Sequence, residues 1–132
     1  MVLSLSNMDK INDINISVDT AYLESQSTPE NNQYVFSYTI TIANTGTSAA
    51  KLLDRHWVIT DSNGKVEEVR GEGVVGEQPN LKPGEAFRYT SGAVLETATG
   101  CMEGEYVMIS EDQEHFMAQI PAFTLAVPNK LH

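Results

Sequence analysis

Tyr34, Phe36, Tyr38, Ile40 and Ile42 alternate with Ser37, Thr39 and Thr41. Successive side chains of an extended chain point to opposite sides, so this spacing predicts a strand with one buried and one wet face. It rules out a helix, whose apolar positions would recur every three or four residues. The same alternation appears in Ile14, Ile16 and Val18 against Asn15, Ser17 and Asp19. Between them, Glu24 to Asn32 is polar, contains Pro29 and reads as a loop.

The pattern continues along the chain. A strand begins near Lys51 with Leu53, Trp57 and Ile59 on one face and Asp54, His56 and Thr60 on the other. Asp61-Ser62-Asn63-Gly64 is a turn, and Val66 to Arg70 returns as its hairpin partner. Leu81-Lys82-Pro83-Gly84-Glu85 is a second tight turn. Phe87, Tyr89 and Ser91 then alternate with Arg88 and Thr90. Met102 to Ser110 and His115 to Leu125 form a last hairpin, with Pro121 marking an edge strand or a break. About seven to eight antiparallel strands, with turn signals every ~8–12 residues, predict an all-β sandwich. One domain spans residues 1–132; residues 1–10 and the tail after Phe123 are expected to be mobile or draped.

Composition narrows the partners. Eighteen acidic against eight basic side chains give a net charge of −10. Nucleic acid and anionic membranes are attracted by surplus Lys and Arg, so neither is an expected partner. No apolar run approaches the ~18 residues of a membrane span. Cys101 is the only cysteine, which excludes an intrachain disulfide and suits a reducing compartment. The N-terminus lacks a basic, apolar leader, so a cytoplasmic location is expected. Edge strands leave room for a homodimer.

Gly71-Glu72-Gly73-Val74-Val75-Gly76 has the spacing of a phosphate-cradling loop. Such a loop works by opening a helix whose N-terminus holds the phosphate. Here Pro79 and Pro83 follow, and Glu72 and Glu77 flank the glycines with negative charge. A strand-to-strand connection is the better reading, with phosphate, pyrophosphate or nucleotide binding as the alternative. Arg55 falls in the core register, which demands a strand end or a carboxylate partner. His56, beside it, is a candidate proton shuttle without a positioned nucleophile. Neither His56, His115 and His132 nor Cys101 has zinc-ligand spacing. Glu111, Asp112 and Glu114 are a solvated acidic turn with at most weak cation affinity. Cys101 lies among Glu96 and Glu103, which disfavour the thiolate, so it reads as buried filler or a passive surface thiol. These readings assign no catalytic residues, cofactor or metal.

Several of these segments resemble the ApaG family, also called CorD. The matching residues are Arg55-His56-Trp57-Val58-Ile59-Thr60-Asp61 with Gly64, and the run from Val69 to Pro79. Leu81, Pro83-Gly84, Phe87 and Tyr89-Thr90-Ser91-Gly92 follow, then Met102, Gly104, Tyr106 and Ile120-Pro121-Ala122-Phe123. The similarity runs from about Ile14 to His132. It implies a fibronectin type III-like (immunoglobulin-like) sandwich, a genetic link to cobalt resistance and magnesium efflux, and no settled biochemical activity. Related domains in certain F-box proteins and in a DNA polymerase delta-interacting protein look like protein-recognition modules. The combined expectation is a non-enzymatic module that contacts an unidentified protein partner through Arg70, Gly71, Glu72, Gly73, Val74, Val75, Gly76 and Glu77, with His56 beside them.

Overall fold

The computed structural model describes residues 11–128; the expectation for residues 1–10 and the position of His132 lie outside them. Among the described residues eight strands form: β1 (Ile14–Tyr22), β2 (Tyr34–Asn44), β3 (Ala50–Asp61), β4 (Val66–Glu72), β5 (Asn80–Leu81), β6 (Ala86–Leu95), β7 (Thr99–Ser110) and β8 (His115–Ala126). The polar segment between β1 and β2 carries two 3₁₀ turns, Glu24–Gln26 and Pro29–Asn31. All pairings are antiparallel. One sheet has the order β1-β2-β6, the other β4-β3-β7-β8, with β5 also on β3. The β1–β2, β3–β4 and β7–β8 connections stay within a sheet, whereas the short links 45–49, 82–85 and 96–98 carry the chain from one sheet to the other, giving the expected fibronectin type III-like sandwich.

The alternation of β2 does what its sequence demands: Phe36, Tyr38, Ile40 and Ile42 are buried against the opposite sheet. Each such side chain contributes on the order of 1.5–3 kcal/mol. Opposite them lie Leu52, Trp57, Met102, Tyr106 and Met108. Tyr38 meets Trp57 at 5.4 Å between ring centroids and Phe123 at 6.1 Å, so an aromatic cluster joins the sheets. In the same core the Tyr89 and Tyr106 hydroxyls share a hydrogen bond of 2.5 Å across the sandwich. Burial holds both phenols neutral by pushing their pKa values up.

Two irregularities correct the strand reading. The β3–β7 register shifts between Leu52 and Asp54, making Leu53 an extra residue on β3. Leu52 and Trp57, five positions apart, therefore both point inward, and Leu52 takes the core position that strict alternation assigned to Leu53. On β8 the register shifts between Phe123 and Ile120, so Pro121 and Ala122 together oppose a single β7 residue. Pro121 thus sits on an edge strand and at a bulge, where its missing N–H costs no ladder bond. As far as Val127 the tail after Phe123 is not draped: β8 continues to Ala126, and the Val127 N–H donates to the Ala98 carbonyl at 3.0 Å; residues 129–132 lie outside the described residues.

The tyrosine pair gives a direct test. Tyr89→Phe or Tyr106→Phe strands one buried hydroxyl and is expected to cost roughly 1–3 kcal/mol. Urea denaturation of the double variant should show a loss well below the sum of the single losses, because both polar groups are then gone.

Candidate functional site

The glycine run is built against the Leu53 bulge. The β4 pairing with β3 ends at Glu72 opposite Asp54, and β5 resumes pairing at Ala50 and Lys51. The chain from 73 to 79 is an excursion between two segments that share one β3 edge. The Leu53 carbonyl accepts a hydrogen bond from the Gly73 N–H at 2.7 Å and from Gln78 Nε2 at 3.0 Å. The Leu52 N–H donates to the Pro79 carbonyl at 2.9 Å. Within the excursion Val74 and Glu77 exchange two backbone bonds of 2.8 and 2.9 Å. Val75 and Gly76, between them, have φ of 43° and 81°. Positive φ at both central positions is the signature of a type I′ hairpin turn.

Each glycine of the motif has its own reason. A Cβ at Gly71 would stand 2.7 Å from the Arg55 guanidinium, which lies over it. Gly73 combines φ of 65° with a close approach: a Cβ there would meet the Glu77 carbonyl oxygen at 2.4 Å. Gly76 has open space and serves only the turn. Arg55 secures the arrangement by donating from Nη1 to the Glu72 and Gly73 carbonyls at 3.1 and 2.9 Å. The expected strand end or carboxylate partner is thereby corrected: Arg55 sits mid-strand, bonded to backbone oxygens. No helix follows the run, and the N–H groups of Gly73, Val74 and Glu77 are spent on protein carbonyls. A phosphate nest needs such donors free.

The two valines part company. Val74 is 1 % exposed and joins the core, whereas Val75 is 55 % exposed at the tip of the turn. Arg70, Glu72 and Glu77, which flank it in the chain, are exposed.

His56 lies on the outer face of the larger sheet. Its Nδ1 is 2.9 Å from Glu105 Oε1 on β7, and its Nε2 is 2.9 Å from Glu68 Oε2 on β4. Ionised carboxylates only accept, and a neutral imidazole has one N–H, so both contacts are satisfied together only by the imidazolium. The Glu105 and Glu68 hydrogen bonds raise the His56 pKa, while the His56 contact lowers that of Glu68. A histidine held in this way is a poor general base near neutral pH. Arg70 reaches Glu68 at 3.4 Å and borders a shallow concavity with Arg55, His56, Gly71 and Glu105. The structure thus brings together Arg55, His56 and Arg70 at the foot of the glycine run. Sequence reasoning missed Glu68 and Glu105. Glu68 was accessible, since the Asp61–Gly64 turn sets His56 opposite Arg70 and Val58 opposite Glu68. Glu105 depends on the distant β7 pairing and left no local sign. Cys101 is exposed on β7, a surface thiol and not buried filler.

Substitution of the glycines by alanine is expected to rank in thermal denaturation. Gly73→Ala, clashing with backbone, should be the most damaging at roughly 2–3 kcal/mol or more; Gly76→Ala should cost about 1 kcal/mol. Gly71→Ala should fall between them, because only the mobile end of Arg55 must move. The histidine clamp predicts a pH dependence. The folded pKa of His56 lies above its unfolded value near ~6.5, so its stabilisation is complete below that value and lost as pH rises through the folded pKa. Stability profiles of the chain and of His56→Gln should therefore converge on the alkaline side, and a proton-NMR titration should place the His56 midpoint above ~6.5.

A family model describing the ApaG domain matches residues 24–110. Protein ApaG from Thiobacillus denitrificans is 61 % identical over 119 residues, covering 90 % of this chain and 94 % of the relative. Protein ApaG from an Azoarcus species is 60 % identical over the same length and shares of the two chains. A crystal structure of a Bordetella pertussis protein, 48 % identical, superposes with a TM-score of 0.89 over 92 % of this chain and 98 % of that one. Domain match, near full-length similarity and superposition agree: the chain belongs to the ApaG domain family.

Proposed function

We propose that this domain is a non-enzymatic recognition module that engages a protein partner through its glycine run, with Val75 as the apolar anchor. The observation that carries the reading is the conformation of Val75. A β-branched residue at positive φ is strained by on the order of 1–2 kcal/mol, and Gly, Asn or Asp would be easier there. Its side chain is largely exposed, so packing does not offset that cost. A strained residue that stabilises nothing within its own domain is best understood as serving a contact outside it.

The surroundings support the same reading. Val74, Arg55 and the Leu53 carbonyl hold the turn before any partner arrives, which lowers the ordering cost of binding. Arg70, Glu72 and Glu77 supply a polar rim, and the net charge of −10 favours a basic partner. In this reading the family's genetic link to cobalt resistance and magnesium efflux runs through the partner. Phosphate binding is the weaker reading, because the backbone donors it requires are already engaged.

Val75→Asn separates fold from function. Asparagine tolerates positive φ, so the thermal midpoint should rise by roughly 3–5 °C. Affinity capture from the native cytoplasm should at the same time lose the partner retained by the unmodified chain. Capture that survives the substitution undiminished overturns the proposal.

A further inference from the structure

The sandwich closes on one side and stays open on the other. β1 and β8 pack together along the closed side. On the open side the edge strands β4 and β6 leave a groove between the sheets. The β3–β4 register turns Glu67, Val69 and Gly71 of β4 into this seam, opposite Ser91 and Ala93 of β6. Their small size leaves a space of about 360 Å³ above Tyr38, Trp57 and Ile59. A second concavity sharing Ile59, Glu67 and Val94 extends the groove to the ion pair between Lys65 and Glu96, beside Asp61.

Charge is arranged along this groove. At one end is Arg55, whose guanidinium is bonded only to two carbonyl oxygens; among the described residues no carboxylate lies within ion-pair distance of it. Five donors and a full positive charge are not exhausted by two carbonyl contacts. Glu67 lies four residues along the β3 ladder, about 13 Å away at ~3.3 Å per residue. Lys65 also attracts Glu67 electrostatically, but its ammonium is paired with Glu96. Between the two charges the floor is aromatic and aliphatic. An inward charge on an edge strand also discourages indiscriminate strand pairing, so a partner strand is admitted when it neutralises that charge.

We propose that this seam binds an extended peptide segment that adds to the free edge of β4, with an acidic side chain toward Arg55, an apolar one over Trp57 and a basic one toward Glu67. Strand addition supplies backbone bonds, and alternate side chains supply specificity. The period of two fixes the pattern as acidic-x-apolar-x-basic, read in either chain direction. The seam is separate from the Val75 turn, so either assignment can fail alone.

Trp57, the only tryptophan, reports on the groove. Blocked peptides with a glutamate-threonine-valine-threonine-lysine core, in both chain orders, would be titrated into the full chain while Trp57 emission and β4 amide NMR shifts are followed. At least one order should give saturable changes centred on β4 and β6. Replacing the peptide lysine by glutamate should weaken binding at least tenfold. Glu67→Lys, an exposed change that spares the fold, should reverse that preference, and Val75→Asn should leave it intact. Ala93→Leu, which fills the seam, should abolish binding with the fold checked by circular dichroism. The proposal is overturned by the absence of saturable change up to millimolar peptide, by shifts centred elsewhere, or by an unchanged preference in Glu67→Lys.

Discussion

One extra residue in β3 sets the geometry of much of this domain. Leu53 resets the inward and outward parity of its strand, so Leu52 and Trp57 both reach the core and Arg55 is turned into the seam. The bulge also releases the Leu53 carbonyl from regular pairing, and that oxygen receives the Gly73 N–H and the Gln78 side chain. The excursion from 73 to 79 is seated where the neighbouring ladder is interrupted. Bulge and excursion are one structural unit, since each supplies hydrogen-bonding groups that the other leaves unpaired.

The glycine spacing shows how one sequence pattern serves two kinds of physics. In a phosphate loop the glycines aim backbone N–H groups at a ligand ahead of a helix. Here the first makes room for a guanidinium, the second allows a carbonyl to come close, and the third closes a hairpin turn. The donors turn inward to the protein. What the loop presents outward is a valine in a conformation that valine disfavours.

Regular strands were legible in the sequence because alternation is a local property, and β1, β2, β6 and β7 follow it closely. Legibility fails where parity changes. Leu52 and Leu53 are adjacent leucines, and no local rule says which one a bulge will bury. The pattern alone asks Arg55 for a strand end or a carboxylate, because backbone carbonyls from a distant loop are invisible to it. Pro121 could be read, since the lack of an N–H restricts it to edges and bulges. At the candidate site the glycine run and His56 stood out, but the division between Val74 and Val75 required the turn geometry. Glu105 required a pairing that joins β3 to β7 across the intervening strands.

The hydroxyl bond between Tyr89 and Tyr106 has a mechanical meaning beyond its energy. Interdigitated apolar side chains hold the two sheets together by close packing, an attraction that has no directional preference of its own. The hydroxyl bond adds a directional tie to that packing, because sliding one sheet over the other would lengthen or bend it. The spacing between the free edges of β4 and β6 is set by how the sheets are aligned. A pair of phenols in the dry interior thus ties β6, one lip of the opening at the rim, to β7 of the opposite sheet.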